Sequence, residues 1–146
     1  MAYRGLFTPK HSEKYLGNAS NVVYRSLWER KFMMYCDDTS GILKWASEEF
    51  CIPYISPVDG RFHRYFPDFY LETQMKRFVI EIKPKAQTQL PEKPAGKTKR
   101  FMKRYLTECA TFAVNQAKWQ AAREYCEQRQ WSFLVFTEQE LFARFK

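Results

Sequence analysis

The residues from Phe78 to Ile82 form an apolar run, Phe-Val-Ile-Glu-Ile, that is interrupted only by the carboxylate of Glu81. A run of this length and composition predicts a β-strand, which we place at Arg77 to Lys83. Burying an unpaired carboxylate in such a strand is costly, so Glu81 needs a metal ion or a cationic side chain as partner. Lys83 shares its face, because strand side chains alternate between faces. The strand therefore predicts a polar site inside a β-sheet.

Asp68 has a similar setting, 13 residues before Glu81, within the run Phe-Pro-Asp-Phe-Tyr of a predicted strand from Phe62 to Leu71. If the two strands are neighbours, the two carboxylates meet. Two carboxylates and Lys83 can hold a hard divalent cation, which activates water and offsets charge during phosphodiester hydrolysis. An isolated Glu-x-Lys is more often an ordinary strand ion pair. The apolar surroundings of both acids favour the metal site here.

The chain has 146 residues, 45% of them hydrophobic, which is enough for one core and one domain. We predict an N-terminal arm at 1–20 and the folded domain at 21–146. The first helix is expected at 21–36, capped by Ser20 or Asn21, and a strand at Ile42 to Ile55 bends or ends near Pro53. The remaining predicted elements are a loop at 84–100, a helix over 98–129 that breaks near Thr111, a strand at Trp131 to Phe136 and a final helix begun by the capping box of Thr137 and Glu140.

Positive charge is concentrated in one stretch. Eight of the Lys and Arg residues lie between Lys83 and Arg104, against the single acid Glu92, so this stretch carries nearly all of the formal net charge of +8. Such a stretch, leaving the strand that bears Glu81, is well placed to bind DNA phosphates, although a merely solvated linker remains an alternative. The candidate phosphate-binding residues are Lys85, Lys97, Lys99, Arg100, Lys103 and Arg104.

Several classes of protein and site are disfavoured by composition. The four cysteines form no Cys-x-x-Cys pair, and His11 and His63 have no zinc-site spacing to them, so we expect reduced thiols and no zinc. The first residues contain no apolar signal segment. No apolar run reaches the roughly 20 residues of a membrane helix, so no membrane association is expected.

Three segments carry a resemblance to a known family. Ser26-Leu27-Trp28-Glu29-Arg30, Tyr65-Phe66-Pro67-Asp68-Phe69 and Val79-Ile80-Glu81-Ile82-Lys83-Pro84 resemble the TnsA-like endonuclease group of the PD-(D/E)XK nuclease superfamily. The predicted α/β order matches that of the superfamily, αβββαβ, with a central mixed sheet flanked by helices. The whole chain, including its Met-Ala-Tyr-Arg-Gly start, further resembles the head-completion nucleases of contractile-tailed bacteriophages.

The resemblance implies roles for individual residues. Asp68 and Glu81 would hold the metal, and Lys83 would orient or activate the attacking water. Glu29 would support a second metal or a metal-bound water, although helical periodicity alone favours an ion pair with Arg25. Gln116 and Lys118 are weaker candidates on the second long helix. Glu48 and Glu49 rank below Glu29, because no motif singles them out.

The implied function is a magnesium-dependent DNA endonuclease, with manganese as an alternative cofactor, that processes or trims packaged genome ends in phage head completion. Its implied partners are DNA, another head-completion protein and the capsid portal or neck. It would act in the host cytoplasm, with incorporation into the virion left open. Two rivals remain at this point: a non-enzymatic basic neck or plug protein that binds DNA, and a transposition or recombination endonuclease.

The basic stretch gives a first prediction. Phosphate contacts release condensed counterions, so log affinity for duplex DNA falls with log salt by about 0.9 per contact. Replacing Lys97, Lys99, Arg100 and Lys103 with Gln flattens the slope by up to roughly 3 to 4 units, to a similar degree on unrelated DNA sequences. Titrations at several salt concentrations measure this slope. An unchanged slope would identify the stretch as a solvated linker.

Overall fold

The computed structural model describes residues 4–96 and 98–144, which contain eight strands and three α-helices. A four-stranded sheet lies at the centre, and two further sheets of two strands each are separate from it. In chain order the elements are β1 Gly5–Phe7, β2 Val22–Tyr24, α1 Leu27–Asp38, β3 Ile42–Ser47, β4 Ile52–Ile55, β5 Phe62–Tyr65, β6 Phe69–Thr73, β7 Arg77–Ile82, α2 Lys99–Gln128, β8 Ser132–Phe136 and α3 Glu138–Arg144.

The central sheet has the strand order β3-β6-β7-β8. β6 is antiparallel to both β3 and β7, whereas β8 runs parallel to β7. In this register Ile80 of β7 lies between Phe69 of β6 and Leu134 of β8. The parallel pairing follows from the long α2 crossover between β7 and β8. The core order α1-β3-β6-β7-α2-β8 confirms the predicted αβββαβ fold with a mixed sheet, and β4 and β5 form an insertion between β3 and β6.

Each face of the sheet is covered by a helix. Phe32, Met33 and Cys36 of α1 pack in one buried cluster with alternate sheet residues such as Ile80 and Phe136. On the other face, Trp119 and Ala122 of α2 belong to the second buried cluster, against which Phe133 and Val135 of the sheet pack. With Cys126, which is also buried, they form a stripe at helical spacing.

The first helix starts later than the sequence predicts. Residues 22–24 form β2, paired antiparallel with β1, and α1 begins at Leu27. The cap is Ser26, not Ser20 or Asn21, and its side chain accepts a hydrogen bond from Glu29 N at 3.1 Å. The prediction was wrong because Val22, Val23 and Tyr24 pair as a β-branched and aromatic strand, and tertiary pairing overrides the weak helical period.

Two predicted strands are each divided. Ile42 to Ile55 separates into β3 and β4, and the break lies at 48–51 rather than near Pro53, because Glu48 adopts a left-handed backbone with φ of 54°. Pro53 is tolerated inside β4 because that strand pairs only with β5. Phe62 to Leu71 separates into β5 and β6 around the buried Pro67, which has no N–H for a ladder.

The second long helix is continuous over 30 residues, so the predicted break near Thr111 is wrong. The surrounding residues contain no Pro or Gly that would interrupt it. Its first turn contains Lys99 and Arg100, where the predicted loop at 84–100 and the predicted helix over 98–129 overlap, and Pro84 is followed by a 3₁₀ turn, Lys85–Thr88. Among the described helices, none has the length and apolar character needed to cross a membrane.

The N-terminal segment, predicted as an arm, packs back against the domain through α1. The backbone N–H groups of Lys10 and His11 donate to the buried Asp37 carboxylate at 2.8 and 3.0 Å. The Lys14 ammonium donates to the carbonyl oxygens of Cys36, Asp37 and Thr39 at 2.7, 3.0 and 2.9 Å. A cation at this end also interacts favourably with the α1 dipole.

We expect Lys14→Met to lower the free energy of unfolding by about 1.5 to 3 kcal/mol, because three carbonyl acceptors lose one charged donor. Denaturant titration measures the loss. Lys44→Met is the matched control, because Lys44 donates to a single carbonyl, that of Glu13 at 2.8 Å, and should cost less than about 1 kcal/mol. Equal losses in the two variants would mean that Lys14 does not anchor the segment.

Candidate active site

Asp68 and Glu81 meet where β6 begins and β7 ends, as the sequence predicts. The Ile82 N–H donates to Asp68 Oδ2 at 2.8 Å, and the Asp68 N–H donates to Glu81 Oε1 at 3.3 Å. The β6–β7 register, with Phe69 opposite Ile80, brings the next pair of residues together. Each carboxylate is therefore fixed by a backbone amide of the neighbouring strand.

Two further acids join Asp68 from other elements. Single carboxylate oxygens of Glu29, Glu48 and Asp68 all lie within 4.8 Å of one another. Glu29 lies in the first turn of α1, and its Oε2 accepts from the Arg25 N–H at 2.6 Å. Glu48 follows β3 directly, and its N–H donates to the Asp68 carbonyl oxygen at 3.2 Å, which extends the β3–β6 ladder.

Sequence motifs place Glu48 below Glu29, whereas the structure brings both residues together with Asp68. The left-handed backbone of Glu48, with φ of 54°, is strained for a residue with a Cβ, and such strain is concentrated at functional sites. Glu49 has a different environment: its Oε1 accepts from the Tyr15 hydroxyl at 2.8 Å. Treating 42–55 as one strand concealed this difference, because Glu48 was placed within a strand instead of at the end of β3, opposite Asp68.

The acids repel one another. Burial, followed by the negative charge of Glu81, raises the pKa of the Asp68 carboxyl well above its usual value. Burial also raises the pKa of Glu29, partly offset by the Arg25 N–H. The Arg25 guanidinium forms an ion pair with Glu48. Excess negative charge and clustered carboxylate oxygens fit a hard divalent cation such as Mg²⁺ or Mn²⁺, with Glu29, Glu48 and Asp68 as candidate ligands and Glu81 beside Asp68.

A cavity of about 650 Å³ opens at this group. Glu29, Asp68 and Lys83 all contribute to its wall, so Lys83 shares an open surface with two of the acids. The Lys83 N–H donates to the Phe136 carbonyl oxygen at 2.9 Å, which fixes its backbone to the end of β8. Glu81 is only 6% exposed and lies beneath this surface. The lining residues are Arg25, Ser26, Leu27, Trp28, Glu29, Asp68, Ile82, Lys83, Pro84 and Gln87.

The weaker candidates lie elsewhere on α2. Lys118 Nζ is 5.9 and 5.7 Å from the ring centroids of Tyr54 and Tyr65, so it packs against the β4–β5 pair. Gln116 is half-buried. Among the described residues that line the 650 Å³ cavity, neither of the two is found.

The predicted phosphate-binding residues fall into two groups. Lys99, Arg100, Lys103 and Arg104 are exposed on the first two turns of α2, and Lys85 is exposed on the 3₁₀ turn, where its N–H donates to Glu138 Oε1 at 2.8 Å. Lys97 lies outside the described residues. The positive surface is therefore largely helical rather than part of a loop.

Comparison with known proteins identifies the family. Residues 39–138 match the family model described as TnsA-like endonuclease N terminal. The chain belongs to the TnsA-like endonuclease family. It is also 41% identical over 144 residues, covering 98% of this chain and 96% of the relative, to the head completion nuclease of Enterobacteria phage T4. Both findings identify this TnsA-like protein as a DNA endonuclease of the PD-(D/E)XK superfamily, whose members use divalent metals.

The electrostatics of this TnsA-like site predict opposite effects of Asp68→Asn on stability and on metal response. Because the folded pKa of Asp68 is raised, its ionisation costs stability as pH rises through that pKa. Without metal at pH 7 the variant should melt about 2 to 4 °C higher if the repulsion costs about 1 kcal/mol, and the difference should shrink below about pH 4. Added magnesium should stabilise the wild type more than the variant.

Asp59→Asn is the matched control for these melting curves. Hydrogen bonds from the Arg61 N–H and His63 lower the pKa of the exposed Asp59, so its neutralisation should not raise the melting temperature. A wild-type melting temperature at or above that of Asp68→Asn in metal-free buffer at pH 7 would contradict the proposed repulsion.

Proposed function

We propose that this protein is a magnesium-dependent endonuclease that processes or trims DNA ends during phage head completion. The observation that carries the proposal is the convergence of Glu29, Glu48 and Asp68, two of which, Glu29 and Asp68, line one cavity with Lys83. Three carboxylates from α1, β3 and the start of β6 form an oxygen-rich site that magnesium prefers. Manganese, which accepts the same ligands, is the alternative cofactor.

The roles of the residues follow from their positions. Asp68, Glu29 and Glu48 hold the cation, and Glu81 orients Asp68 from beneath through the Asp68 N–H. A bound divalent cation activates water and offsets charge on the phosphate. Lys83, on the cavity wall, orients the attacking water and stabilises the negative charge that develops on the phosphate oxygens.

The basic start of α2 positions the DNA. Lys99 and Lys103 are one turn apart, as are Arg100 and Arg104, so the four cations share one side of the helix. Contacts from such a surface to the phosphates supply affinity and orientation without base specificity. The acidic site then needs only to hold one phosphate of a backbone that α2 has already bound.

The place of this activity is inferred from the relative. The name of that phage protein assigns it to head completion, and the match extends over nearly the whole length of both chains. We infer that this protein acts in the host cytoplasm on packaged DNA together with another head-completion protein and the portal or neck. Incorporation into the virion belongs to the same proposal. The nearly full-length match favours this role over transposition, and endonuclease family membership argues against a non-enzymatic plug.

We expect Asp68→Ala and Glu81→Ala to reduce magnesium-dependent cleavage of supercoiled and linear DNA by at least about 100-fold, because Asp68 holds the cation that offsets charge in the transition state and Glu81 fixes the position of Asp68. DNA affinity, measured in calcium, should change little because α2 supplies it. Glu124→Ala is the control, since Glu124 is exposed on the far half of α2 and bonds only Gln120 among the hydrogen bonds of the described residues. Cleavage at the wild-type rate by either site variant would refute the assignment.

A further inference from the structure

A second cavity, of about 390 Å³, adjoins the acidic site. Gln87 of the 3₁₀ turn lines both cavities, so they meet on either side of this one side chain. One wall is a single face of α2, because its residues recur at helical spacing. The wall from α2 consists of Thr107, Glu108, Thr111, Phe112 and Asn115, and the opposite wall of Ala86, Gln87, Gln89 and Pro91.

Asn115 places a polar group in the cavity wall. The residue is 5% exposed, and no hydrogen bond joins its amide to the residues within 4–96 and 98–144. The amide atoms are nevertheless not fully buried, so a ligand or water in the cavity can reach them and supply the hydrogen bonds. The cavity could hold about a dozen waters of about 30 Å³ each, and its volume lies in the range of about 300 to 1,000 Å³ of small-molecule sites.

The lining selects the class of ligand. Amides of Gln87, Gln89 and Asn115 both donate and accept hydrogen bonds, as the edge of a nucleobase does. Phe112 offers an aromatic ring against which a base can stack. Glu108 is the one charged residue among the described lining residues, and its carboxylate pairs with the Arg104 guanidinium at 3.0 Å, so the described lining offers a phosphate no cation of its own. The lining therefore suits a neutral planar base better than any anion.

We propose that this cavity binds an unpaired nucleobase next to the phosphate that is cleaved. A base inside a duplex cannot reach such a cavity, whereas one at a frayed end or a bulge can enter at little unstacking cost. The endonuclease therefore prefers DNA with an unpaired nucleotide beside the cut over perfect duplex. This inference rests on the proposed function for the cleavage it directs, but base binding can be measured without cleavage.

The test uses Asp68→Asn protein in calcium, so that DNA remains intact. Three short duplexes differ at one position: fully paired, carrying an unpaired 2-aminopurine, or carrying an abasic site there. We expect the unpaired 2-aminopurine duplex to bind about tenfold more tightly than the paired one, with a change in base fluorescence, and the abasic duplex to lose this advantage. Asn115→Leu and Thr111→Val should each reduce the advantage while affinity for the paired duplex is retained.

Gln120→Leu is the control, because Gln120 is an exposed residue of α2 that does not line the cavity. This variant should retain the preference for the unpaired 2-aminopurine duplex. Equal affinity for paired and unpaired DNA, or an advantage that persists on the abasic duplex, would overturn the inference. If unpaired-base binding is found but the wild type cleaves no DNA in magnesium, the proposed function fails and the base site stands. If the wild type cleaves paired and unpaired DNA at equal rates, and the 2-aminopurine fluorescence does not change on binding, the base site alone is refuted.

Discussion

Two hydrogen bonds between carboxylates and backbone amides join the start of β6 to the end of β7. Asp68 accepts from the N–H of Ile82, and the N–H of Asp68 donates to Glu81. The buried Pro67 has no N–H, so the backbone ladder between β6 and β7 is completed here by side chains. Because Asp68 and Glu81 each bond a backbone amide across the β6–β7 pair, the position of Asp68 is set before any ligand binds. Glu29 and Glu48 are then brought to Asp68 by α1 and β3.

The cluster of Glu29, Glu48 and Asp68 is an acidic site in a protein with a net positive charge. Carboxylates that repel one another, and the left-handed backbone of Glu48, make the site unfavourable for the folded chain in isolation. The core must supply the compensating stability through helices on both sides of the sheet and through the N-terminal segment that Lys14 and Asp37 hold. Local repulsion attracts a cation, while the surrounding positive charge attracts a polyanion, so the two ligands are drawn to adjacent surfaces.

The two halves of the long α2 helix lie in different environments. Its second half carries the buried Trp119, Ala122 and Cys126, and the first two pack with Phe133 and Val135 of the sheet. Its first half extends beyond the sheet with exposed cations on one side and, on another, the polar face that reaches Asn115. Because α2 is continuous, its exposed cations and the cavity that it lines have fixed positions relative to β7 and the acids.

The sequence by itself determined the order of helices and strands along the chain, the proximity of Asp68 to Glu81 and the presence of a concentrated positive charge. These features follow from local chemistry: acids in apolar runs need partners, strand periodicity fixes side-chain faces, and charge is additive along the chain. Tertiary structure decided where elements begin and end. Val22 to Tyr24 became a strand because β1 was available to pair, and Glu48 reached Asp68 because β3 ended in a left-handed turn. The convergence of Glu29 and Glu48 on Asp68, and the cavity behind Gln87, depend on contacts between residues far apart in the chain, which periodicity and composition do not encode.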